Sequence, residues 1–259
     1  MTALLSIRGL RVEFPARGGS RGQVVPAIEN LDLDIVEGET LAVVGESGAG
    51  KTTLAEAIVG LVHPGEGSSI TYDGTELLGL RGRTGRKARI GIQMVAQNPL
   101  LALSPRRTVG AQIEEPLRVH TSLSRIQCRQ RADDMIAALD LSGAMRQRLP
   151  HELSGGQAQR AVLARALVLE PSMVIFDEPT SALDVSVQAG VLNLLRELKA
   201  DHGLTYLFIT HDLGVARHLA DRIAVMRTGR IVEQQPAGAL FTSPRHTYTR
   251  ALLASCLTV

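Results

Sequence analysis

Gly45-Glu46-Ser47-Gly48-Ala49-Gly50-Lys51-Thr52 sets three glycines, a lysine and a hydroxyl at the spacing of a phosphate-binding loop. Gly45, Gly48 and Gly50 let the backbone curl so that successive N–H groups converge on phosphate oxygens. Lys51 would reach the β- and γ-phosphates of a nucleoside triphosphate as a point charge, and the Thr52 hydroxyl would ligate Mg²⁺. A helix starting near Gly50 adds a dipole that favours the anion. Far downstream, Leu153-Ser154-Gly155-Gly156-Gln157 offers a hydroxyl and two glycines at a second helix start, chemically another phosphate device. Asp177 closes an apolar run, where a carboxylate can hold Mg²⁺ through its water shell, and Glu178 follows it. Gln97 and His211 also stand just beyond apolar runs. Taken singly, each has a plainer reading: Ser154 as a helix N-cap, Gln97 before Asn98-Pro99 as a turn residue, His211 as a structural histidine.

The elements needed to position these residues are legible. Thr40–Val44 is a short, continuously apolar strand that feeds the loop, and Lys51 to about Leu61 has helical composition and stops before Pro64-Gly65. Leu4–Phe14 and Ala27–Val36 alternate like strands around a polar, glycine-rich hairpin loop at Pro15–Gly22. Ile70–Tyr72 and Gly91–Ala96 are further strands, and Arg81–Arg89 between them, with five basic residues, reads as a solvated connection. From about Pro99 to Pro150 the pattern is polar-helical, clearest over Ile126–Leu139. A helix follows the Ser-Gly-Gly run and stops at Pro171. Strand and helix then alternate over Met173–Phe176, Val185–Ala200, Thr205–Ile209, Leu213–Ala220 and Ile223–Met226. That alternation argues for a mainly parallel sheet covered by helices.

Composition excludes several classes. With 259 residues the chain suits one large domain or a domain carrying an insertion. A 44% hydrophobic content supports a sizeable core, and 3% aromatic with no Trp makes it aliphatic. A net charge of +2 is too balanced to argue for nucleic acid. No apolar stretch reaches the roughly 18–20 residues a membrane span needs, and the first residues lack a signal-peptide pattern. A cytosolic setting is therefore expected. Cys128 and Cys256 lack metal-ligand spacing and read as ordinary thiols.

The order of these motifs resembles the ATP-binding cassette (ABC) ATPases, from about Leu4 to about Leu253. The resemblance implies an α/β fold: a RecA-like P-loop NTPase core with an antiparallel β sub-domain and an inserted α-helical sub-domain. On that pattern residues 1–259 form one ATP-binding domain, with the insertion at about 99–160 and a family-specific tail at about 236–259. It implies ATP and Mg²⁺ as ligands. Glu46, Ser47, Ala49 and Thr53 would join Gly45, Gly48, Gly50, Lys51 and Thr52 around the phosphates. Thr52, Gln97 and Asp177 would serve the metal, and Glu178 would be the general base, on a side chain pointing to the other face of the extended chain from Asp177. Gln97 would act at the Mg²⁺ or the attacking water, and His211 would hydrogen-bond the γ-phosphate. Phe14 sits where the family places a ring against adenine, although a strand-end Phe is commonly a core residue. Ser154, Gly155, Gly156 and Gln157 would cap the ATP held by a partner subunit, with Asp184 of the D-loop, Pro179-Thr180-Ser181-Ala182-Leu183-Asp184, acting across the same interface.

Gln97-Asn98-Pro99…Leu103-Ser104-Pro105 and the tail Pro244-Arg245-His246-Thr247-Tyr248-Thr249-Arg250-Ala251-Leu252-Leu253 are similar to the dipeptide, oligopeptide and nickel importer ATPases. Thr247 departs from the usual proline. The likeness, closer to the second of two paired ATPases, implies a peripheral subunit on the cytoplasmic face of the inner membrane. Its partners would be two transmembrane permeases, a second, non-identical ATP-binding subunit and, indirectly, an extracytoplasmic solute-binding protein, with no nucleic acid. No iron–sulfur cluster is expected. Non-transport ABC ATPases of the DNA-repair or translation type are the alternative. They carry long coiled-coil insertions or two fused cassettes, for which Gln97 to Leu153 and this length leave no room. Leu100, Leu101 and Leu103 are expected either to line a groove for a permease helix or to pack inside the helical insertion.

Overall fold

A computed structural model describes residues 3–15, 24–180 and 185–256. In chain order they form β1 (Ala3–Pro15), β2 (Val24–Val36), β3 (Thr40–Val44), α1 (Lys51–Val59), β4 (Ser69–Tyr72), β5 (Thr75–Glu76) and α2 (Gly82–Ala88). The middle of the chain contributes β6 (Ile92–Val95), α3 (Pro99–Ala102), α4 (Val109–His120), α5 (Arg125–Ala138), two 3-10 turns (Gly143–Gln147 and Pro150–Glu152), α6 (Gly155–Leu167), β7 (Met173–Asp177) and α7 (Val185–His202). The last part adds β8 (Thr205–Thr210), α8 (Leu213–Leu219), β9 (Arg222–Arg227), β10 (Arg230–Pro236), α9 (Ala237–Thr242) and α10 (Thr247–Cys256). Two compact units divide these elements: Met1–Ala88 with Thr205–Val259, and Arg89–Leu204.

The first unit carries two sheets. An antiparallel one runs β2-β1-β4-β5, built on the alternating burial of β1 and β2. In the other, β3 lies between β8 and β9, parallel to both, and β10 closes the edge antiparallel to β9. All five residues of β3 and all six of β8 are buried, so each reads as one continuous apolar run, as strands covered on both faces must. Thr40 and Asp221 lock the entry to β3: Thr40 N–H donates to the Asp221 carboxylate at 2.8 Å, and Asp221 N–H returns a bond to Thr40 O at 2.9 Å. α1 ends at Val59, before the expected Leu61, because Gly60 takes the left-handed conformation (φ 80°) and its N–H turns back to the last carbonyls.

In the second unit β6 and β7 pair parallel, Ile92↔Met173 through Val95↔Phe176. Between them in sequence lie α3 to α6, which cover the interval expected to be a helical insertion, and none exceeds the 14 residues of α5. Half-buried Arg146, from the first 3-10 turn, ties Glu114 of α4 to Asp133 of α5. Gly110 lets that arginine approach α4, since a Cβ there would overlap its side chain. Gln112, 2% exposed, staples the Ser104–Arg107 turn: its side chain accepts from Ser104 N–H at 2.7 Å and donates to Arg107 O at 2.9 Å.

Two expectations change. Arg81–Arg89 is no plain connection, because Gly82–Ala88 within it is helical and buries Gly85. Leu103 is 3% exposed and belongs to the core, whereas Leu101 is 84% exposed, so the leucine cluster does not act as one surface. The hairpin loop expected at Pro15–Gly22 falls mostly outside the described residues; Pro15 itself is still in β1.

Candidate nucleotide site

β3 delivers the chain into the loop at Gly45, and α1 leaves it at Lys51. A Cβ on Gly45 would overlap the Met226 carbonyl oxygen, and one on Gly50 (φ 102°) would lie 2.5 Å from Ala27 O. Glycine at these two positions is therefore demanded by the backbones of β9 and β2. Gly48 (φ 81°) is needed for its conformation alone, since a Cβ there would meet open space. Between these anchors Glu46, Ser47 and Gly48 stand exposed. Ala49 N–H donates to Glu46 O at 3.2 Å, which closes the turn. Lys51 is 5% exposed, and its Nζ donates to Gly45 O at 2.8 Å and Glu46 O at 2.9 Å, so its ammonium lies inside the curl of the loop. Thr52 is exposed on the first turn of α1, and Thr53 is half-buried beside it.

In the second unit the parallel register carries two further residues into contact. Val95 faces Phe176, and two positions beyond each lie Gln97 and Glu178. The Gln97 side-chain amide donates to the Glu178 carboxylate at 3.4 Å. Asp177, the last residue of β7, is 6% exposed. Glu178 does not continue the extended chain as expected: its φ is +49°, a left-handed conformation costly for a non-glycine residue, so the backbone turns there. Asn98 caps α3, accepting from Leu100 and Leu101 N–H at 3.0 and 3.2 Å.

His211, in the first unit, is exposed between the end of β8 and α8. The Asp212 beside it is an N-cap, accepting from Gly214 N–H at 2.7 Å and Val215 N–H at 3.1 Å. Phe14 is 40% exposed and pairs in register with Val25, which is 55% exposed; it is not a core residue.

Ser154 is an N-cap as well. Its hydroxyl oxygen accepts from Gln157 N–H at 3.3 Å, and the Gln157 side chain accepts from Ser154 N–H at 3.1 Å, a complete capping box. That use does not consume the hydroxyl's own proton, and Gly155 leaves the helix start exposed. An open hollow of about 530 Å³ adjoins it, with Gly156, Gln157, Arg160 and Asp140 among its lining. Asp184, with Ser181, Ala182 and Leu183, lies outside the described residues.

In the first unit the amide N–H groups and the ammonium of the loop fit a polyphosphate, and the Thr52 hydroxyl is an oxygen ligand of the kind a hard divalent cation takes; in the second unit the buried Asp177 carboxylate is another donor of that kind. Sequence reasoning passed over one residue at this loop. The Tyr248 hydroxyl accepts from Glu46 N–H at 3.2 Å across 202 positions, and no local spacing announces it.

The ABC transporter family model matches residues 28–181. The chain is 45% identical over 258 residues to the oligopeptide transport ATP-binding protein OppF of Escherichia coli (strain K12), covering 97% of this chain and 77% of that protein. It is 44% identical over 254 residues to the dipeptide transport ATP-binding protein DppF of the same organism, covering 97% and 76%. Among solved structures, the dimeric post-hydrolysis state of an ATP-binding cassette bound to ADP and Pi is similar with a TM-score of 0.80. The two are 29% identical, over 90% of this chain and 98% of that one.

Proposed function

This chain belongs to the ABC transporter family and is an ATP-hydrolysing, ATP-binding subunit; from that premise we propose that it powers the uptake of dipeptides or oligopeptides through a membrane permease. The observation that carries the reading is the likeness to peptide-transport ATP-binding proteins over 97% of the chain, tail included. Peptide is preferred to nickel as the cargo because these relatives are peptide transporters. No helix among the described residues is long and apolar enough to cross a membrane, so transport requires separate membrane subunits: two permeases, a second ATP-binding subunit and, outside, a solute-binding protein. The chain then works at the cytoplasmic face of the membrane.

In the hydrolytic step the loop amides and Lys51 hold the β- and γ-phosphates and neutralise charge as it spreads over the γ-oxygens. Thr52 and Asp177 would hold Mg²⁺, which supplies charge stabilisation at the phosphates when bound. Glu178 takes the proton of the attacking water, and Gln97, already hydrogen-bonded to that carboxylate, orients water and base together. His211 donates to a γ-oxygen. Phe14 and Val25 offer an apolar face to the adenine. Ser154 donates its hydroxyl proton, and Gly155 and Gly156 admit the phosphates, of the ATP bound by the partner subunit, with the partner reached also through Asp184. Exposed Leu100 and Leu101 meet the permease.

Reconstitution in proteoliposomes with the permeases, the partner ATPase and the binding protein tests the whole reading. ATP-dependent accumulation of a labelled peptide is expected. Co-purification with DNA or ribosomes and no transport in that system would overturn it.

A further inference from the structure

We infer that Tyr248, in the C-terminal helix α10, is a positioning residue for the phosphate-binding loop, holding its exposed arm in the shape that receives the nucleotide. The inference rests on the assignment of Gly45–Thr52 as the nucleotide loop and adds a residue to it.

The loop is fixed at both ends by close backbone packing at Gly45 and Gly50 and is exposed from Glu46 to Gly48. Glu46 is the pivot of that arm. Its carbonyl accepts from both Lys51 Nζ and Ala49 N–H, so the orientation of this peptide decides where the ammonium and the Ala49 amide point. The N–H of the same residue belongs to the adjoining Gly45–Glu46 peptide, whose carbonyl also accepts from Lys51 Nζ at 2.8 Å, and it is taken by the Tyr248 hydroxyl at 3.2 Å.

Tyr248 is itself held on every side. It is 8% exposed and packs in a core cluster with Val44, Val225 and Leu240, while the Arg227 guanidinium lies over its ring at 4.8 Å from the centroid. Its helix is pinned at the start by Glu233 of β10, a buried carboxylate that accepts from Arg245 N–H at 2.7 Å and His246 N–H at 2.9 Å. Tyr248 N–H donates to His246 Nδ1 at 3.1 Å. A rigid chain of contacts thus runs from β10 through α10 to one peptide of the loop. A hydroxyl presented this way lowers the ordering cost of binding without touching the ligand.

Tyr248→Phe removes the hydroxyl and keeps the ring. Two measurements on the full chain test it: amide exchange at Glu46, and the affinities for Mg-ATP and Mg-ADP. Exchange at Glu46 is expected to accelerate while that within β3 stays the same. Both affinities are expected to fall about two- to tenfold, the worth of one net hydrogen bond. In the assembled transporter the KM for ATP should rise with kcat little changed. Binding and exchange are read well below the thermal midpoint of the free protein, so a less stable variant still gives an answer. Wild-type affinity overturns the inference whatever the exchange shows, and so does weaker binding with unchanged Glu46 exchange. Lys51→Ala separates the two levels: tight ATP binding by that variant sinks the loop assignment itself, whereas wild-type binding by Tyr248→Phe sinks only the inference.

Discussion

Gln97 and Glu178, 81 positions apart, are joined by a 3.4 Å hydrogen bond that follows from the register of a single pair of parallel strands. Each stands two residues beyond a paired position, Val95 facing Phe176. The left-handed turn at Glu178 replaces the straight continuation that would have alternated its side chain away from Asp177. A carboxylate placed by strained backbone and gripped by an amide is pre-oriented before any substrate arrives.

Glu178→Gln is therefore expected to keep ATP binding near wild type while slowing hydrolysis about 10²–10⁴-fold, since glutamine keeps the size and loses the basicity. Single-turnover hydrolysis in the assembled complex checks it. Turnover at the wild-type rate would remove Glu178 from the mechanism.

The leucines after Gln97 should separate by burial. Leu103→Ala empties a site that is 3% exposed and is expected to cost about 2–5 kcal/mol of stability. Leu101→Ser, at a residue 84% exposed, should change stability by no more than about 0.5 kcal/mol and still reduce transport coupled to ATP hydrolysis. Denaturation curves beside transport assays decide; unimpaired transport by Leu101→Ser would detach that residue from permease contact.

Glu233 predicts an acid-sensitive tail. Burial alone would raise its carboxyl, but hydrogen bonds from the Arg245 and His246 N–H groups and from Gln235 outweigh that and hold it at about 2. A carboxyl lowered on folding contributes stability that is complete above its ordinary value of 4.5 and is lost as pH falls from there toward 2. The thermal midpoint should fall over that window, and Glu233→Gln should flatten the fall. A variant with an unchanged acid profile would show that Glu233 carries none of it.

If each ATP needs the loop of one chain and Ser154–Gln157 of another, the isolated chain should hydrolyse slowly, with a rate per chain that falls on dilution. Adding the partner ATPase and permeases should restore it. A high rate independent of concentration would show that one chain completes its own site.

The sequence by itself determined whatever depends on near neighbours. The run of β3 into the loop and α1, the Lys51 bonds to Gly45 and Glu46, and the Ser154–Gln157 capping box all close within a few residues, so residue type and spacing specify them. Motif order along the chain identified the family for the same reason. The tertiary structure decided what depends on register and burial. Leu101 and Leu103 are chemically identical and two apart, and only packing makes one exposed and the other core. Seven residues of a basic, glycine-containing stretch became α2 against their weak helical propensity. Gln97 met Glu178 because two strands aligned, and Tyr248 met Glu46 because a tail 202 residues away folds back onto the loop. Such contacts are set by the balance of buried surface over the whole chain, which no local pattern of residues encodes.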